Sequence, residues 1–306
     1  MKKVWLAEGA LLCVAFIWGA TFVIVQQAIQ YLPPISFNGI RFLIATLFLF
    51  SWLLLFQRQQ LKQLTKKTWL HGAVMGTCLF AGYAFQTVGL MYTTSSKAGF
   101  ITGLSVVLVP LFAFLLLKQK LKANGIAGVV IATVGLYFLT LGDKWSIDKG
   151  DFLVFLCAIS FALHILVTGL FSQRHPTLLL TIIQLGTVTI LCVMFAFFME
   201  DWQTVLQTSL LLKQEVTVAL VITSLLATAL AFLLQTSVQQ YTTAARVALI
   251  FAMEPVFAAI AAFFWAGERL TGLAVTGCLC IFIGMIIAEL PSLKKKTAIE
   301  KGAGLS

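Results

Sequence analysis

Apolar residues in this chain gather into ten long runs, at 7–26, 36–56, 69–91, 97–117, 123–141, 151–171, 178–198, 216–236, 243–265 and 272–290, parted by short polar segments. Each run holds about 20 residues, the length a helix needs to cross roughly 30 Å of hydrocarbon. Inside lipid every backbone N–H and C=O must find a partner within the protein, so runs of this kind are expected as helices. Several links are only a few residues long, which makes neighbouring helices antiparallel. The longest gaps, 57–68, 142–150 and 199–215, are too short for a second soluble domain. The pattern predicts an all-α integral membrane protein of ten transmembrane helices.

The pattern is also doubled. Residues 86–135 lie over residues 235–284 at a fixed offset of 149 without a gap, and 12 of the 50 positions are identical. Gln86-Thr87 meets Gln235-Thr236, Tyr92-Thr93-Thr94 meets Tyr241-Thr242-Thr243, Gly128 meets Gly277 and Gly135 meets Gly284. Polar and glycine matches of this kind are not produced by a merely apolar composition, and self-similarity at a fixed spacing marks a duplicated unit. Each copy contains five crossings, an odd number, so the second copy enters the membrane from the opposite side. The expected domains are 1–143, a first five-helix repeat, and 144–306, an inverted second repeat with a basic tail. Inverted repeats that rock against each other around a midplane site are a recurring transporter construction.

Composition supports the bilayer: 60% of the residues are hydrophobic, 10% are charged and the mean hydropathy is +0.99. A soluble domain carries roughly a quarter of its residues as charge. The net charge of +10 does not point to nucleic acid, because the basic residues sit in the links and the tail rather than on one face. With the N-terminus in the cytoplasm, 15 Lys and Arg fall in inner segments and 5 (Lys97, Lys144, Lys149, Lys213, Arg269) in outer ones. That bias predicts a cell (inner or plasma) membrane protein with both termini cytoplasmic. Trp5, Trp52, Trp69, Trp145 and Trp202 fall near run ends, where amphipathic rings settle at the headgroups. The six cysteines all lie in apolar runs and read as small hydrophobes. The first run is too long for a cleaved signal peptide.

Trp18-Gly19-Ala20-Thr21-Phe22, Leu32-Pro33-Pro34 and Arg41-Phe42 resemble the opening of an EamA-type repeat of the drug/metabolite transporter superfamily. Gly150-Asp151, Glu254-Pro255-Val256-Phe257, Gly267-Glu268-Arg269-Leu270, Gly277 and Gly284 resemble the same repeat a second time. The resemblance covers roughly residues 5–290. It implies a ten-helix inner-membrane carrier, often an exporter of amino acids or related small metabolites. Lys118-Gln119-Lys120, where the family often has an acid, and His164, where an aromatic or small residue is commoner, depart from the pattern.

Glu254 is the leading candidate for substrate or proton handling, because it falls near the bilayer centre, where a charge costs about 3 kcal/mol or more. The competing account makes it a hydrogen-bonding residue at a kink. Pro255 next to it, and Pro110 in the fourth helix, remove backbone donors and are expected to bend their helices. His164, mid-helix, is either packed and neutral or a pH-sensitive cavity group. Arg41 either snorkels to the outer headgroups or serves as counter-charge to a substrate carboxylate. The turn alignment that pairs Leu32-Pro33-Pro34 with Pro176 sets Gln184 opposite Arg41 and His164 opposite Thr21. Trp18 and Tyr83 could wall a pocket, and Gln86 with Gln235 could bond a substrate or bridge helices. Lys97 and Arg246, equivalent by the repeat, read either as boundary anchors or as gates at each mouth. Glycines at 72 and 76, 99 and 103, 128 and 135, 277 and 284 read as sites of close helix packing.

No catalytic residue set, metal site or cofactor motif is found. A Walker-type phosphate loop is missing, so driving energy comes from a gradient or a partner. The expectation is a secondary carrier exporting a small polar or zwitterionic metabolite by alternating access, with Glu254 as the candidate for proton coupling. A non-transporting membrane sensor or interaction partner is the alternative, and a membrane enzyme would need paired catalytic groups that are not seen. The expected partners are a small-molecule substrate and the bilayer, with a homodimer left open.

Overall fold

A computed structural model describes residues 2–93, 95–119, 123–140, 148–261, 263–264 and 271–289. Helix α1 (Lys2–Ala28) turns through Leu32-Pro33-Pro34 into α2 (Pro34–Phe56). Proline at the first position of α2 fits because its fixed φ is helical and its missing N–H would have had no partner. Residues 58–63 form a 3₁₀ turn, and α3 (Lys66–Gly89) then starts on a capping box between Thr65 and Thr68. Two short helices follow, α4 (Ser95–Gly103) and α5 (Ser105–Leu117), then α6 (Ala123–Thr140).

Helix α7 (Lys149–Phe171) turns through Pro176 into α8 (Thr177–Met199), and a 3₁₀ turn with the single-turn α9 (Thr208–Leu211) fills the gap read at 199–215. Then come α10 (Gln214–Ser224), a π-helical stretch Leu225–Leu230, and α11 (Ala231–Val238), continuous as one rod. Helices α12 (Ala244–Phe251) and α13 (Glu254–Ala261) are again a broken pair, and α14 (Gly272–Glu289) ends the described chain.

The described residues are all helix and link, without a strand. Seven helical stretches are long and apolar enough to cross a membrane. Of the runs read as spans, 123–141 and 272–290 appear as shorter apolar helices. Run 69–91 appears as α3, 24 residues that open on Lys66, Lys67 and His71. Lys120, Leu121, Lys122, Lys144, Trp145, the Gly267–Leu270 motif and the basic tail from Lys294 lie outside the described residues.

The side-chain distribution is the reverse of a water-soluble protein's. Phe48, Leu55, Phe198 and Phe264 face outward, while Asn38, Arg41, Gln86, His164, Gln184, Gln235 and Gln239 are buried. A lipid solvent favours this arrangement, since polar groups must find partners inside the bundle. Helix α2 lies against α8, α3 against α7 and α8, and α1 against α10–α13. The tightest pairing is α6 on α14. There a Cβ on Gly135 would stand 2.7 Å from Gly277 O, and one on Gly284 would stand 2.7 Å from Gly128 O. These two contacts are the same contact with the partners exchanged, since 135 and 284, and 128 and 277, are each 149 apart.

Both broken helices part at positions 149 apart. The Leu104 N–H bonds Ile101 O at 3.1 Å, and the Met253 N–H bonds Ile250 O at 3.0 Å, so each chain tightens to a three-residue spacing there. Pro255 stands directly after its break, as the second residue of α13. Pro110 stands inside α5, six residues past the break at Leu104.

Candidate functional site

A cavity of about 70 Å³, measured as the space open to water centres, lies between the two halves. One water needs about 10–15 Å³ on that measure, so the space holds several waters or a small solute. Its walls come from the later halves of α1 and α3, from α4, and from α2, α7, α11 and the junction of α12 with α13. Its walls from α1, α2, α3 and α4 lie in the half of the bundle away from the start of α1, while His164 and Ile165 of α7 and Gln235 of α11 stand past the middles of their helices, so the cavity reaches across the middle of the bundle. Beyond it toward that start, Leu11, Val14 and Ala15 of α1 pack with Val109 and Ala113 of α5, Leu166 of α7 and Val247 to Phe251 of α12. At the same end Arg246 Nη1 pairs with Glu8 Oε1 at 3.2 Å, joining α12 to α1.

All seven residues singled out from sequence, Trp18, Arg41, Tyr83, Gln86, His164, Gln235 and Glu254, line this one cavity. Pro255 lines it too, whereas Pro110 does not. Arg41 does not reach the headgroups: it is 3% exposed and turned into the bundle. Its Nε donates to Thr228 Oγ1 at 2.6 Å, and its Nη2 to Ala227 O at 3.3 Å and to Tyr83 Oη at 3.4 Å. The guanidinium lies over the Tyr83 ring, 4.8 Å from its centre, which holds its plane.

The π-helical stretch explains why Ala227 can serve. In that stretch the Ala231 N–H reaches back five residues to Leu226 O. The register of hydrogen bonds shifts, as in π-bulges at other functional sites. Ala227 O accepts from Trp18 Nε1 at 2.8 Å as well as from Arg41. One carbonyl of the second half thus fixes two cavity side chains of the first.

His164 is 2% exposed. Its Nε2 lies 2.9 Å from Gln184 Oε1 and 3.3 Å from Thr168 Oγ1, and Gln184 Nε2 donates to Thr236 Oγ1 at 3.0 Å. Gln86 donates to Thr102 Oγ1 at 3.2 Å. Gln235 donates to Gln239 Oε1 at 3.3 Å, but its own Oε1 is buried without an acceptor's partner. Among the described residues the Glu254 carboxyl has no hydrogen-bond or ion-pair partner, and it lines the cavity.

Sequence reasoning passed over the aromatic hub of the wall. Phe232 lies tilted to Trp18 at 5.3 Å and meets Tyr83 at 6.1 Å and His164 at 5.9 Å edge to face, and Phe161 meets Tyr83 at 5.3 Å. The signal was present: Phe232 is 149 residues from Tyr83, and Phe161 is 143 from Trp18, the offset that pairs Gln184 with Arg41. Thr228 carried no such mark, because the aligned residue is Leu79, a buried apolar side chain.

Of the other histidines, His71 Nδ1 meets His175 Nε2 at 2.8 Å, and His175 Nδ1 lies 3.1 Å from Thr68 Oγ1. Phe171 stacks on His71 at 3.9 Å. This cluster is far along α3 from the cavity, at the end where α1 begins. Among the described residues no three His, Cys, Asp or Glu side chains gather to hold a metal.

Known proteins share this architecture. A solved crystal structure superposes with a TM-score of 0.76 over 92% of this chain and 96% of its own, at 18% identity, a likeness of fold. A protein of Archaeoglobus fulgidus named an uncharacterized transporter is 35% identical over 286 residues, covering 93% of this chain and 86% of that one. The uncharacterized transporter YvbV of Bacillus subtilis is 24% identical, with 97% of each chain covered. The EamA-like transporter family matches twice, at residues 5–141 and at 148–289. With nearly the whole chain accounted for in this way, the protein belongs to the EamA-like transporter family and is a multi-pass membrane transporter.

Proposed function

We propose that the protein is a secondary carrier exporting a small metabolite, an amino acid or a related polar or zwitterionic compound, by alternating access. Its two units, 1–143 and 144–306, are inverted five-helix repeats in the cell membrane, with both termini in the cytoplasm. The observation that carries this is the composition of the cavity wall. Residues from both units face one space in matched pairs: Gln86 with Gln235, Tyr83 with Phe232, and Trp18 with Phe161. The exchanged glycine contacts of α6 and α14, and the breaks at Leu104 and Met253, support the same two-fold relation. A two-fold axis of this kind supplies two nearly equivalent packings, one open to each face.

The conformer described here is the one closed at its cytoplasmic end. The Arg246–Glu8 pair and the apolar packing of α1, α5 and α12 close the cytoplasmic half. Glu254, half-buried in the wall, is the group that takes and releases a proton as the site changes sides. Gly19 brings α1 against the backbone at Glu254, where a Cβ would stand 2.6 Å from Glu254 O. A rocking of α1 over α13 therefore changes the surroundings of that carboxyl directly.

Proteoliposomes loaded with individual amino acids test export: at least one compound is expected to leave faster with the protein than without it. Glu254→Gln should remove the pH dependence of that flux while the protein stays folded. Equal leak for every compound sinks export, and wild-type pH dependence in the variant sinks the proton role alone.

A further inference from the structure

The cavity wall holds an arginine that the protein leaves half used. Arg41 has five N–H donors. Nε is engaged at 2.6 Å by Thr228, and Nη2 only loosely, at 3.3 and 3.4 Å, by Ala227 O and Tyr83 Oη. Among the described residues Nη1 has no acceptor, yet it is not among the fully enclosed unpartnered atoms, and Arg41 lines the cavity. Every partner Arg41 has is neutral. Glu254 shares the same cavity and makes no ion pair with it.

A guanidinium seven residues into a membrane helix, about 10 Å from the helix start, is costly without an anion. Here its orientation is fixed on three sides before any ligand arrives. Tyr83 holds the plane, Thr228 holds Nε and Ala227 O holds Nη2 loosely, which leaves the Nη1–Nη2 edge the least engaged part of a side chain that lines the cavity. Two parallel N–H groups on a planar fork match the two oxygens of a carboxylate.

We infer that Arg41 is the carboxylate-binding residue of the carrier, so that the molecule carried bears a carboxylate held by Nη1 and Nη2. This rests on the carrier reading for treating that molecule as cargo, but not for the existence of the anion site. On binding, the loose bonds of Nη2 to Ala227 O and Tyr83 Oη yield to charge-assisted ones. Because Ala227 O also holds Trp18, loading is transmitted to α1 through that shared carbonyl. Empty and loaded carriers then differ at the contact between the two halves.

The test uses the purified full chain in detergent, with formate as the smallest carboxylate probe, formamide as its neutral twin and sodium chloride as the inorganic anion. Thermal unfolding is followed against probe concentration. Formate is expected to raise the transition saturably, formamide not at all, and chloride with a half-saturating concentration at least about tenfold higher. Arg41→Gln abolishes the formate response. Arg41→Lys, which keeps the charge but not the fork, raises the half-saturating formate concentration by at least about tenfold, the size of one lost charged hydrogen bond, and decides the matter should Arg41→Gln not fold. Equal responses to formate and chloride, no saturable formate response, or an unchanged response in Arg41→Lys overturns the inference. The flux assay separates the two readings. A formate response lost in Arg41→Gln without any carried solute keeps the anion site and sinks the carrier. A solute carried at the wild-type rate by Arg41→Gln keeps the carrier and overturns Arg41 as the residue that binds its cargo.

Discussion

Gly135→Ala should destabilise the bundle, and the reason is local enough to be tested against its own helix. A Cβ at 135 would lie 2.7 Å from Gly277 O, 2.8 Å from Ile281 N and 2.9 Å from Cys280 Cβ. The first two are backbone atoms of α14, which no rotamer change can move. Ordinary contact begins near 3.4 Å, so α6 and α14 must part by about 0.7 Å, a gap that forfeits a quarter to a half of each dispersion contact along the seam. Overpacking of this kind costs about 1–3 kcal/mol. Alanine regains about 0.5–1 kcal/mol over glycine through backbone entropy, leaving a net loss of up to roughly 2.5 kcal/mol. Gly125→Ala, in the same helix, meets nothing within 4 Å and should keep only the gain. Gly284→Ala should match Gly135→Ala, because its Cβ meets Gly128 O at 2.7 Å from the other side. The double variant should cost less than the two singles together, since helices already parted are not parted twice. The measurement is thermal unfolding of the four variants in one detergent. A Gly135→Ala protein as stable as Gly125→Ala would refute the reasoning.

Two further outcomes follow from the polar contacts. Thr228→Val keeps the shape but removes the acceptor 2.6 Å from Arg41 Nε, and should cost about 1.5–3 kcal/mol of stability; unchanged thermal unfolding would show that water replaces the hydroxyl. His175, in the link between α7 and α8, has its pKa held below the ordinary 6.5 first by burial and then by His71, Arg174 and Lys67. The unfolded chain then binds that proton more readily than the folded one, so the contribution is complete above pH 6.5 and declines as the pH falls below it. His175→Asn should flatten the loss of thermal stability between pH 6.5 and 5, and an unchanged slope would place the pH sensitivity elsewhere.

Much of this protein was legible in its residues. Hydrophobic runs of about 20 residues admit one solution in lipid, the helix, because a backbone without water must pair with itself. The identity of 86–135 with 235–284 at a constant offset was enough to expect matched partners, and Gln86 with Gln235 stand on the same cavity. Residue chemistry was enough to single out Arg41, His164 and Glu254, since buried charge in a membrane is kept only where it is used or paired. What these groups touch depended on tertiary packing. The Arg41 side chain could have reached either headgroups or interior. The interior prevailed because a π-helical turn at Leu225–Leu230, for which the local sequence carries no mark, presents Ala227 O and Thr228 Oγ1 at the right depth. The breaks show the same division. Two prolines at unmatched places announced bent helices, but the chain parts at Leu104 and Met253, which match each other, with Pro255 beside its break and Pro110 six residues past the other. Proline only removes a donor, whereas the position of a break is set by what the two half-helices pack against, and that is a property of the assembled bundle.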